Sequence, residues 1–127
     1  MGLFGFFKRK KRQPVKEFLE RRIIPRWKIN ARAKLKWEGR DDYLECRIRD
    51  LNLKGFAVSL SQRLPGQCTK MTLNFNDRFL FPIEVAVIWS TEEEGKIVYG
   101  LRFTRVRDAD RETMYQMVHH DFPEALK

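Results

Sequence analysis

From Trp27 to Trp37 the chain alternates without a break. Trp27, Ile29, Ala31, Ala33, Leu35 and Trp37 are apolar, and Lys28, Asn30, Arg32, Lys34 and Lys36 between them are polar. Successive residues of an extended chain face opposite sides, so a period of 2 makes a strand with one buried and one wetted face. The pattern then recurs. Gly39–Asp42 turns the chain, and Tyr43–Leu51 carries Leu44, Cys46 and Ile48 on one face. Gly55–Ser61 repeats it with Phe56, Val58 and Leu60; after the Leu64-Pro65-Gly66 turn, Cys68–Asn76 alternates around Met71, Leu73 and Phe75. Beyond Asn76-Asp77, the residues Phe79, Phe81, Ile83, Val85, Val87 and Trp89 line the inner face of a long fifth strand. Pro82 has no N–H to give to a ladder, so it demands an edge position or a bulge there. Glu92–Gly95 connects to a sixth strand with Ile97, Tyr99, Leu101 and Phe103 inward. Six short alternating strands at hairpin spacing predict a mainly β chain folded as an antiparallel barrel or sandwich.

Helical spacing appears only at the two ends. Pro14 suits a first-turn position, and Val15, Phe18, Leu19 and Ile23 follow at intervals of three and four, so Pro14–Ile23 reads as a short helix. Pro25 stops it by pushing Ile24 out of the helical region. Asp108 is the expected N-cap of a C-terminal helix with Met114, Met117, Val118 and Phe122 as its apolar stripe; Pro123 ends it. The expected organisation is an arm over residues 1–13, a helix and linker over 14–26, a barrel over 27–107, and a helix with tail over 108–127.

Charge divides the chain sharply. Of 26 Lys+Arg and 17 Asp+Glu, residues 1–40 hold 14 and 3, net +11, which leaves residues 41–127 with 12 and 14, net −2. The excess belongs to a basic arm leading into a nearly neutral body. Leu3, Phe4, Phe6 and Phe7 precede the run Lys8, Arg9, Lys10, Lys11, Arg12. A secretory signal would place its positive charges before a longer apolar stretch. Two readings stand: a peripheral membrane foot, with aromatics in the interface and cations on anionic headgroups, or a solvated arm whose phenylalanines pack on the domain. No apolar run approaches the roughly 18–20 residues that a membrane helix needs. Cys46 and Cys68, without a C-x-x-C, form neither a disulfide framework nor a zinc site, and a cytoplasmic location is the expectation, peripheral to the inner membrane face if the arm is a foot.

Catalytic chemistry finds no support. His119 and His120 are adjacent on a helix, so their side chains diverge by about 100° and cannot share a metal or a proton. Glu92-Glu93-Glu94 is a solvated turn, Cys46 has core parity, and the nucleophile elbow, the phosphate-binding glycine loop and metal-ligand spacings are all missing. The expectation is a protein that is not an enzyme, with no metal and no cofactor.

Two clusters remain. Arginines crowd Arg21-Arg22-Ile23-Ile24-Pro25-Arg26, and the guanidinium fork binds phosphate bidentately. Asp50-Leu51-Asn52-Leu53-Lys54-Gly55 joins strands two and three. Asp50 shares the parity of Leu44, Cys46 and Ile48, so it tends inward at a strand end, where a carboxylate needs donors. Gly55 permits close backbone approach or a positive φ.

Together these clusters resemble the PilZ domain, a family of bacterial receptors for cyclic di-GMP. Its signature is Arg-x-x-x-Arg before the barrel, then Asp/Asn-x-Ser-x-x-Gly between the second and third strands. Arg22 and Arg26 match the first part, with Arg21 as the extra basic neighbour; Asp50, Asn52 and Gly55 match the second, with Asn52 in place of Ser. Tyr99-Gly100-Leu101-Arg102-Phe103 looks like the family's last strand. The resemblance covers roughly residues 20–107. It implies a six-stranded antiparallel PilZ-type barrel that binds cyclic di-GMP. Arg22 and Arg26 would grip phosphates and guanines, Asp50 would accept from a guanine N–H edge, Asn52 would contact ligand, and Gly55 would leave room. Ligand would order the arm against the barrel, and a downstream protein partner would read the change. Two rivals are a PilZ-like interaction module without nucleotide and a basic barrel binding single-stranded nucleic acid. The second needs aromatics on the same face as the cations, whereas parity puts Trp27 and Trp37 opposite Lys28, Arg32, Lys34 and Lys36.

Overall fold

The computed structural model describes residues 26–126. The predicted helix at Pro14–Ile23, the arm, Arg21 and Arg22 lie outside the described residues. Seven strands form one sheet: β1 (Arg26–Trp27), β2 (Ala31–Trp37), β3 (Leu44–Asn52), β4 (Gly55–Leu60), β5 (Cys68–Phe75), β6 (Phe79–Glu93) and β7 (Lys96–Arg105). Helix α1 (Asp108–Asp121) follows, then a 3₁₀ turn at Pro123–Leu126. The order is β1-β3-β2-β5-β6-β7-β4, and β3 also pairs with β4, which closes the sheet into a barrel. β1 and β2 both pair with β3 and are two pieces of the single strand predicted from Trp27 to Trp37. The break falls at Asn30, whose φ of 45° is left-handed and whose carbonyl accepts from Arg47 Nη1 at 2.9 Å. The barrel is therefore six-stranded and antiparallel throughout, as expected.

The period-2 residues fill its interior. Leu35, Ile48, Leu51, Val58, Leu60 and Leu73 are fully buried, and Phe75 and Phe81 meet edge-to-face with centroids 6.3 Å apart. Cys46 is part of this core, and burial pushes its thiol up to about 12, with a smaller contribution from Glu45. Pro82 pairs with Thr72 of β5, whereas the β7 ladder reaches only Glu84, so the proline sits where β6 has a neighbour on one side. That satisfies the missing N–H. Met114, Met117 and Val118 of α1 close one end of the barrel, beside Trp27, whose ring meets Tyr115 at 6.0 Å. Phe122 packs partly buried against the core, as its place in the apolar stripe predicts, and is also the helix C-cap.

Three expectations fail for local reasons. Asp108 does not cap α1; the N-cap is Arg107, without a side-chain cap bond, and its guanidinium grips Asp110 at 2.8 and 3.1 Å. Asp50 does not turn inward. The register slips between Ile48 and Asp50, so Arg49 is an extra residue on β3 and Leu51 takes the buried position. Trp89 is not in the core either. A second slip between Val87 and Trp89 makes Ile88 an extra residue on β6, and the indole is turned out, 45% exposed. A bulge adds one unpaired residue and reverses the facing of every strand residue beyond it.

Candidate functional site

The β3–β4 hairpin carries the second sequence cluster. Asn52 pairs with Gly55 across the two-residue turn Leu53-Lys54, and Asn52 Oδ1 accepts the Lys54 N–H at 2.6 Å. This Asx turn uses the acceptor of the Asn52 amide and leaves its NH₂ as a donor only. The turn is anchored from both sides: Arg111 of α1 donates to the Leu53 carbonyl at 3.0 Å, and Phe103 N–H to the Lys54 carbonyl at 2.8 Å. Leu53 itself is fully buried.

Gly55 does not have a positive φ. Its role is close approach: a Cβ there would run into the Leu101 carbonyl oxygen and lie 3.0 Å from Arg102 Cα. Both are backbone atoms of β7, so only glycine allows β4 to seat against β7 at this point.

Registers place the candidate residues in two adjacent rows on the outer wall. One runs Arg26–Asn52–Gly55–Arg102–Ala86, and the other Asp50–Ala57–Gly100–Trp89. With strands about 4.8 Å apart, the second row spans roughly 14 Å between its end backbones. Between Asp50 and Trp89 it holds only Ala57 and Gly100, a smooth shelf. The Trp89 indole lies against Gly100, where any Cβ would meet the ring. Arg26 Nε sits 3.6 Å from Asp50 Oδ2; the guanidinium is 64% exposed and the carboxylate 18%. The arginine is thus held near the acid while staying open to an anion.

Of the residues singled out in the sequence, Arg26, Asp50, Asn52 and Gly55 come together here. Two site residues were not foreseen. Arg102 stands beside Gly55 with no carboxylate in ion-pairing range among the described residues. Its polar place between Leu101 and Phe103 is an outward-parity signal that points to it. Trp89 has no such signal, because the bulge that exposes it leaves no mark in composition. The described residues contain no group of three or more His, Cys, Asp or Glu able to hold a metal.

The fold is a small closed antiparallel barrel whose candidate site is a hairpin on its outer wall. The chain belongs to the PilZ domain family, whose model matches residues 20–120. No curated protein matches the sequence. Among solved structures, it is similar to YcgR of Escherichia coli in complex with c-di-GMP, with TM-score 0.62, 20% identity, and 84% of this chain and 48% of that one covered. The PilZ domain of the same protein, also with c-di-GMP, matches with TM-score 0.62 and 18% identity over 83% of this chain and 94% of that one. The Bacillus subtilis inhibitor of motility MotI matches with TM-score 0.58 and 15% identity, over 76% and 48% of the two chains. The chain thus spans about half the length of those YcgR and MotI chains.

Proposed function

We propose that this protein is a cyclic di-GMP receptor whose ligand lies on the outer shelf between Asp50 and Trp89. One observation carries the reading: the fold sets Arg26 beside Asp50 at one end of a row that holds only the Ala57 methyl and Gly100, with a half-exposed indole laid over Gly100 at the other. Arg26, Arg102 and, from the linker, Arg21 and Arg22 supply forks for the two phosphates. Asp50 accepts from a guanine N–H edge, and the Asn52 NH₂ donates to a ligand acceptor. Trp89 offers a face on which a guanine stacks, a contact worth about 1–3 kcal/mol per base. Membership of a PilZ family with c-di-GMP-bound relatives supports the same ligand.

Calorimetric titration with cyclic di-GMP tests this directly. Heat of binding is expected for the unmutated chain, and Trp89→Ala is expected to weaken binding roughly tenfold, the lower half of the stacking range. No heat from the unmutated chain would reject the receptor reading in favour of an interaction module without nucleotide.

A phosphate held by Arg26 also draws on Arg22, four residues earlier in the chain. Ligand therefore orders the linker and brings residues 1–25 against the barrel, and a protein partner reads that arrangement. Limited trypsinolysis at Lys8–Arg22 is expected to slow at saturating ligand; an unchanged cleavage rate with binding intact would remove the switch and leave the receptor.

A further inference from the structure

A second wall is built from β2, β5 and the first half of β6, and its outward-parity positions form a grid in which Asn74 alone is buried. Registers place Lys34–Asn74–Leu80 in one row, Lys36–Thr72–Pro82 in the next, and Lys70–Glu84–Arg105 in a third. Lys34, Lys36 and Lys70 have no carboxylate in ion-pairing range among the described residues, and Lys36 instead sits 4.9 Å from the Tyr43 ring centroid. Elsewhere on the surface Arg49 pairs with Glu93, Arg63 with Glu92 and Arg78 with Asp121, while Lys28, Lys54 and Lys96 likewise lack an ion pair among the described residues. The unpaired lysines of this wall surround its most apolar part. Leu80 is 53% exposed, and Pro82 is exposed beside it. A groove of about 460 Å³ opens along the Lys36 and Lys70 rows, lined in part by Trp37, with the cations Lys36, Arg40, Lys70, Arg105 and Arg107 outnumbering the carboxylates Glu38 and Glu84.

We propose that this wall is a membrane-facing surface that docks on anionic phospholipid. The chemistry matches that occupant in three ways. Lysines without a contact ion pair attract a negative surface, while their stems cover apolar neighbours as the ammonium groups reach the phosphates. Leu80 and Pro82 provide a small apolar contact for the headgroup boundary, and the groove admits a headgroup between Lys36 and Lys70. Residues 3–12 repeat the same pairing of apolar and basic side chains in sequence. A nucleic-acid occupant would need exposed rings among the cations as stacking platforms. The partly buried Trp37 does not serve, since the Arg40 guanidinium lies over its ring at 4.9 Å. Leu80 and Pro82 lie at the opposite end of β6 from Trp89, and Asp50 lies on β3, so docking through Leu80 and Pro82 leaves the hairpin site uncovered. The proposal is independent of what that site binds.

Sedimentation of the full chain with phosphatidylcholine vesicles, with and without phosphatidylglycerol, tests it. Binding is expected only with phosphatidylglycerol and to weaken with salt. Lys36→Gln/Lys70→Gln, with Lys8–Arg12 intact, is expected to lower partitioning roughly 30-fold, at about fivefold per lysine near an anionic surface. Leu80→Ser should lower it further without altering the salt dependence. An unchanged melting temperature for these surface variants verifies folding. Wild-type partitioning by the double lysine variant, or equal binding to both vesicle types, would overturn the proposal. So would tight binding of a mixed-sequence single-stranded oligonucleotide, lost in the same variant, without phosphatidylglycerol preference; that outcome assigns the wall to nucleic acid.

Discussion

Asp50→Ala is expected to weaken cyclic di-GMP binding roughly 100-fold while leaving the melting temperature nearly unchanged. The two effects separate because they rest on different interactions. Among the described residues, Asp50 meets only the Arg26 guanidinium, at 3.6 Å and with that partner 64% exposed. An exposed ion pair of this kind contributes about 0–1 kcal/mol to stability. In the proposed complex, the carboxylate would accept from a guanine N–H edge in a wall that excludes part of the solvent, and a hydrogen bond to a charged group contributes about 1.5–3 kcal/mol. At 1.4 kcal/mol per tenfold, the upper end of that range corresponds to the stated loss. Asp50→Asn keeps one acceptor and should fall between. Calorimetry with matched thermal melts decides: wild-type affinity in Asp50→Ala would remove the guanine contact from the site, and a large drop in melting temperature would show a structural carboxylate instead.

Gly55→Ala is expected to cost about 3 kcal/mol of stability, lowering the melting temperature by roughly 10–20 °C for a domain of this size. The added methyl group would collide with the Leu101 carbonyl and crowd Arg102 Cα. Neither can rotate aside as a side chain would, so β4 must shift off β7 along a seam of six paired residues. The seam includes the partners of Asn52 and Asp50, so ligand affinity should fall even below the melting transition. Gly66→Ala is the matched control, since its Cβ would have no neighbour within 4 Å and its φ is not positive. Equal melting temperatures for the two variants would show that close approach is not why position 55 is glycine.

These expectations draw on a fold that was largely written in the alternation of the chain. Leu35, Ile48, Val58, Leu73, Phe81 and Leu101 all occupy the interior that parity assigns them. The Arg26, Asp50, Asn52 and Gly55 cluster was equally legible, because it depends on residue types at fixed spacing. What parity could not supply was the direction of Asp50 and Trp89. Each lies one step past an extra residue, Arg49 or Ile88, and a single unpaired residue has no composition that distinguishes it from an ordinary strand position. The cap of α1 was misread for a related reason: Asp110 is a better partner for Arg107 than Asp108 is for the backbone, and only geometry shows which acid is in reach.

The two slips have a joint consequence. In the vocabulary of crystals they are dislocations, one on each side of a four-strand terrace, and they tilt both of its ends toward solvent. A barrel of this size with uninterrupted alternation would point the carboxylate and the indole at its own packed centre and present a featureless exterior. Removing Arg49 or Ile88 should therefore silence the surface without touching any residue that meets a ligand. Recognition in this barrel is a property of strand phase as much as of side-chain identity.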